Sequence, residues 1–135
     1  MTDIVLPSSF SSDHLTFNSI ERFNDGSGYK IELELESNPF TAKYLLFIEQ
    51  HVFDTFTASL TVLEESLTGE AILKPDYESQ FVKITAGHSG HMFVSGELIT
   101  HDERGQFLSF NFRTDQTCVR QFLNGMRREL QAVAF

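Results

Sequence analysis

Among side chains able to do chemistry, the densest grouping runs from His88 to Cys118 and comprises His88, His91, His101, Asp102 and the single cysteine, Cys118. A metal ion needs imidazole nitrogens that converge to about 2.1 Å, normally with a third or fourth donor. If the segment between His91 and His101 is a strand, those two residues lie about 33 Å apart and cannot share an ion. His88 and His91 alone are two donors short of a site and read as water-exposed turn histidines. A nucleophilic set of Cys118, His101 and Asp102 needs the base within hydrogen-bond reach of the sulfur. Nothing in the sequence places a histidine beside Cys118. The cysteine falls in the first turn of the last expected helix, where the dipole lowers a thiol pKa, but a lone cysteine is more simply a small buried hydrophobe. Phosphate-binding glycine loops, a GxSxG elbow, HExxH and paired CxxC are all absent from the sequence. No catalytic residue, metal or cofactor is therefore expected.

A carboxylate pattern remains. Ile31 to Glu36 reads Ile-Glu-Leu-Glu-Leu-Glu, an alternation with period two that buries one face of a strand and wets the other. Glu32, Glu34 and Glu36 then form an acidic row, joined by Glu97 if it lies on a neighbouring strand. Asp54, Glu64 and Glu65 give a second acidic surface on the outer side of an expected helix. The formal charge of −9 is concentrated: residues 1–78 hold fourteen acids against four bases, and residues 79–135 five acids against six bases. Such a field disfavours nucleic acid and anionic membrane and favours a basic partner, although a merely solubilising surface has the same charge. The arginines Arg120, Arg127 and Arg128 are read as the solvated face of the last helix.

These groups must be positioned by a domain that is Phe-rich inside, since fourteen phenylalanines and no tryptophan supply the aromatic bulk. Residues 1–13, with paired serines and Pro7, are expected to form a poorly ordered leader ahead of a single domain at 14–135. From His14 a strand carries Leu15, Phe17 and, one place out of step, Ile20; Asn24-Asp25-Gly26-Ser27-Gly28 turns it into the Ile31 strand. Phe40–Ile48 fits a strand or the start of a helix, and a strand is preferred. Its apolar run Tyr44–Ile48 is far too short to span a bilayer, and the protein is expected to be cytoplasmic.

Val52, Phe53, Phe56, Leu60, Leu63 and Leu67 then recur at helical spacing, with Gly69 where a C-terminal cap belongs. Short strands are expected at Glu70–Leu73 and Phe81–Ala86, followed by a long hairpin of His91–His101 with Gln106–Arg113. Asp115 is placed to cap a second helix bearing Val119, Phe122, Leu123, Met126 and Leu130, within which Gly125 signals a close approach to another element. The order β-β-β-α-β-β-β-β-α predicts an α+β domain: one mostly antiparallel sheet of about six or seven strands with two amphipathic helices packed on one face. No internal sequence repeat is visible.

Leu67-Thr68-Gly69-Glu70-Ala71-Ile72-Leu73, Val94-Ser95-Gly96-Glu97-Leu98 and Leu108-Ser109-Phe110-Asn111-Phe112-Arg113-Thr114-Asp115-Gln116-Thr117, in this order of elements, resemble the WapI-type family of bacterial immunity proteins. The resemblance spans Phe17 to Leu130. It implies a cytoplasmic, non-catalytic inhibitor that binds and occludes a cognate polymorphic toxin domain in bacterial competition. A basic toxin, such as a nuclease with a cationic cleft, would suit the acidic residues above. The resemblance carries no catalytic or toxin-contact motif onto named positions. Two other readings stay open: an enzyme that reverses a toxin modification, using the His88, His91 and Cys118 region, and a structural or adaptor domain with another protein partner.

Overall fold

The computed structural model describes residues 3–133. Its elements follow in the order β1 (Ile4–Pro7), β2 (His14–Arg22), β3 (Gly28–Ser37), β4 (Phe40–Glu49), α1 (Gln50–Ser66), β5 (Glu70–Leu73), β6 (Phe81–Ala86), β7 (His91–Ile99), β8 (Phe107–Asp115) and α2 (Gln116–Val133). The fold is α+β, but its strands form two four-stranded antiparallel sheets, β1-β2-β3-β4 and β5-β6-β7-β8, in place of the single sheet expected. Two features account for the difference. The segment expected to be a disordered leader contains β1, whose alternating Ile4 and Leu6 are buried; residues 1 and 2 of that segment lie outside the described residues. β5, beyond α1, pairs with β6 and not with any strand of the first sheet.

Phe40–Glu49 is a strand, paired with β3 along its whole length. The alternation in β3 is realised as read: Ile31, Leu33 and Leu35 are buried. Ile20 is out of step because β2 carries a bulge. The β2–β3 register shifts between Phe17 and Ser19, which leaves Asn18 unpaired and returns Ile20 to the apolar face.

Although the sequence has no repeat, the element order four strands then helix occurs twice. The helices are exchanged between the halves: α1, which ends the first, lies chiefly against β5 of the second, and α2, which ends the second, lies chiefly against β1 of the first. The apolar stripe of α1 buries Phe53, Phe56, Leu60 and Leu63, and that of α2 buries Val119, Phe122, Leu123 and Met126. These side chains and the inner faces of both sheets form one continuous core. Ring contacts lace it together, with Phe17 edge-on to Phe122 at 5.2 Å and Tyr29 against Phe53 at 4.8 Å.

Gly125 marks the close approach that its position suggested. A Cβ there would lie 3.0 Å from Ile4 Cγ2, so the absence of a side chain lets α2 settle on β1. Asp115 accepts a hydrogen bond from the Cys118 N–H at 2.9 Å and caps α2. α1 ends on Leu67, which adopts the left-handed conformation (φ 59°) and returns its N–H to Leu63 O at 2.9 Å; Gly69, expected at the cap, has φ +90° two residues further on.

The two halves are also joined by polar contacts. Thr114 Oγ1 donates to Pro7 O at 2.7 Å, Ser8 Oγ to Arg113 O at 2.7 Å and the Tyr44 hydroxyl to Ile99 O at 2.5 Å. Burial raises the Tyr44 phenol above its ordinary pKa.

Candidate functional site

The outer face of the first sheet collects the acidic row and its surroundings. On β3, Glu36 stands between His14 and Thr41, Glu34 between Thr16 and Lys43, Glu32 between Ser19 and Leu45, and Lys30 between Glu21 and Phe47. Two of these neighbours are ion partners: His14 Nδ1 lies 3.5 Å from Glu36, and Lys30 Nζ 3.1 Å from Glu21. Glu32 and Glu34 carry no ion pair within 4.0 Å among the described residues. They line a shallow groove of about 430 Å³ with Asn18, Lys43 and Leu45. The bulge sets one wall of this groove, because Asn18 has no cross-strand partner.

An apolar strip adjoins the carboxylates. β4 is an edge strand, and its outward residues Leu45 and Phe47 are 52% and 50% exposed. Phe23 stacks on Phe47 with ring centroids 6.3 Å apart and planes within 6°. This arrangement departs from the expectation that phenylalanine is mainly a core residue: Phe10, Phe23, Phe40, Phe47, Phe93 and Phe107 are all exposed. Tyr44–Ile48 reads in the sequence as one unbroken apolar run. In the sheet only its alternate members, Leu46 and Ile48, are buried. An alternation in exposure carried by five apolar residues leaves no signal in residue type. Contiguous carboxylates and exposed aromatic and aliphatic surface can hold a cationic, partly apolar protein surface.

The other acidic candidates are separated from this groove. Glu97 is on β7 of the second sheet, opposite Phe81 and Ser109, so it does not extend the β3 row. Glu64, expected on a solvated face of α1, is buried: Arg120 Nε lies 2.6 Å from its Oε1, and Gln116 Nε2 donates to its backbone carbonyl at 2.9 Å. α2 crosses α1 there, so Glu64 and Arg120 join the helices. Arg127 contributes a bond from Nη2 to Thr61 Oγ1 at 2.8 Å. Asp54 and Glu65 are exposed on α1, about 16 Å apart along its axis. Asp54 accepts a bond from Gln50 Nε2 at 3.0 Å.

The histidines and Cys118 do not assemble into a catalytic set among the described residues. His91 opens β7, and His101 lies two residues beyond its far end at Ile99. His91 is the cross-strand partner of Asp115, and Gln116 N donates to Gly90 O at 3.2 Å, which brings the His88–His91 turn to the start of α2. Even so, burial pushes the Cys118 thiol above its ordinary pKa, opposite to what activates a nucleophile. His101 Nε2 lies 3.2 Å from Gln80 Oε1 and 3.8 Å from Glu78. No group of three or more His, Cys, Asp or Glu among the described residues could hold a metal ion. No helix among them is long and apolar enough to cross a membrane.

No family model matches the sequence, and no curated protein matches it. A solved structure of MRP1/MRP2 from Trypanosoma bruciei is similar in fold, with a TM-score of 0.55, 8% sequence identity and coverage of 97% of this chain and 83% of that chain. A likeness at that identity shows the architecture alone.

Proposed function

We propose that this chain is an immunity protein: a non-catalytic inhibitor that binds a cognate bacterial toxin domain in the cytoplasm and occludes it. The observation that carries the reading is the outer face of the first sheet, where Glu32 and Glu34, with no ion partner within 4.0 Å among the described residues, stand beside exposed Leu45 and Phe47. Unpaired carboxylates accelerate capture of a basic partner through long-range steering, and the adjoining apolar strip supplies surface to desolvate once it is bound. The resemblance in sequence to WapI-type immunity proteins supports the same class. Asp54 and Glu65 on α1 form a second, weaker contact surface in this reading; Glu97 lies on the other sheet, and Glu64 is engaged by Arg120.

The test takes the reading frame next to the coding sequence and, where it encodes a secreted protein with a variable C-terminal domain, pairs that domain with this chain. Protection on co-expression supports the class, and its absence with a bound, active toxin sinks it. In purified form, Glu32→Lys with Glu34→Lys slows association by about an order of magnitude and flattens its salt dependence. Unchanged kinetics would remove the β3 row from the interface.

A further inference from the structure

We propose a second binding site on the opposite sheet, one that takes an acidic segment of a protein partner carrying an apolar anchor side chain. A shallow concavity of about 530 Å³ lies on the outer face of the second sheet at its β5 edge, within the volume range of ligand sites. Its walls are Ile72, Phe81 and Tyr77, and its cations are Lys74 and Lys83. Ile72 and Lys83 are direct cross-strand partners, so the lysine stands beside an aliphatic side chain that remains 40% exposed.

Neither lysine has a carboxylate within 4.0 Å among the described residues, in a chain of formal charge −9. Lys74 Nζ donates only to Pro75 O, at 3.4 Å. Two acids lie near enough to ask about. Glu78 lines the concavity, with Oε1 3.8 Å from His101 Nε2. Glu97 stands across from Phe81 and forms no ion pair with either lysine. The site therefore sets two lysines against the one carboxylate of Glu78 around an apolar floor, a net positive lining. An anchor residue flanked by carboxylates complements that pattern, and a basic surface does not.

Tyr77 is the second observation. It is fully exposed and holds φ at 64°, a conformation that disfavours a non-glycine residue by about 1 kcal/mol or more. The turn is fixed from across the molecule: Asp76 N donates to the Glu49 carboxylate at 3.1 Å, and His51 Nε2 lies 2.7 Å from Asp76 Oδ2. Glycine or asparagine would satisfy this backbone at less cost, and a wholly exposed ring buries nothing within the chain. A ring held in that place is suited to close over an incoming side chain.

The probe is a fluorescein-labelled peptide in which one phenylalanine is flanked by two aspartates on each side, titrated at low ionic strength and followed by anisotropy and by amide shifts. Expected are saturable binding, shifts centred on Ile72, Tyr77 and Phe81, and a loss of about tenfold in affinity for Lys74→Met with Lys83→Met, which removes the charge and keeps the stems. A peptide with lysines in place of the aspartates should not bind this face. No binding to the native chain, or equal binding to the double variant, overturns the proposal. Glu32→Lys with Glu34→Lys leaves this binding intact, so failure here and failure of the toxin reading are separately visible.

Discussion

Glu64 lies at the margin of the apolar stripe of α1, in a position where exposure would cost nothing and burial requires a partner. α2 covers it, and the Arg120 guanidinium at 2.6 Å supplies that partner. Arg120 is itself about half exposed, so truncating it exposes little apolar surface but strands a carboxylate that is nearly buried. Arg120→Ala should lower unfolding stability by about 1 to 3 kcal/mol in urea titration. A change below about 0.5 kcal/mol would mean that solvent replaces the guanidinium. Glu32 and Glu34 are the contrasting case. They have no ion partner within 4.0 Å among the described residues, and their substitution is expected to change partner kinetics more than stability.

Among the elements, those whose two faces differ sharply in chemistry were the legible ones. β3 alternates leucine or isoleucine with glutamate, and both helices recur at three and four, so their apolar faces could be assigned, with Glu64 the exception on α1. The Asp115 cap and the Gly125 approach were readable because each has a local or single-residue cause. Gly28 shows what was not. It reads as the last residue of a flexible turn, but it is buried at the start of β3, where an added Cβ would meet Ile48 O at 2.0 Å. That contact is with backbone, which cannot turn aside. Gly28→Ala should therefore cost about 1 to 3 kcal/mol and loosen the β3–β4 end nearest α1, measurable as faster amide exchange at Tyr29 and Ile48. Unaltered exchange would show that the strands can separate without loss.

At the scale of the whole molecule, β1 has more weight than four residues suggest. It edges the first sheet, supports α2 of the other half through Ile4 and Gly125, and is followed by the Pro7 and Ser8 contacts to Thr114 and Arg113. Removing residues 1–8 exposes the surfaces that cover Ile4 and Leu6, a loss of about 3 to 6 kcal/mol from those two side chains alone. Domains of this size are stable by only about 5 to 15 kcal/mol. Truncation should lower the thermal midpoint sharply and broaden resonances in both sheets, because each half leans on the other. A truncated chain with an unchanged midpoint and spectrum would restore the leader reading.

The sequence by itself determined the kinds of elements from His14 onward, most of their boundaries and the inward faces of the strongly patterned ones, while β1 was read as part of a disordered leader. Those depend on the spacing of apolar side chains, a property carried by neighbouring residues. It also determined that acidity belongs to the first half. Only the tertiary structure decided how the strands divide into two sheets, that Glu97 and β3 lie on different sheets, that α2 covers Glu64, and that Leu45 and Phe47 face water beside Glu32 and Glu34. The physical reason is the same in each case. Strand pairing and helix docking join segments far apart in the chain, and a residue's exposure depends on what those distant segments bring against it.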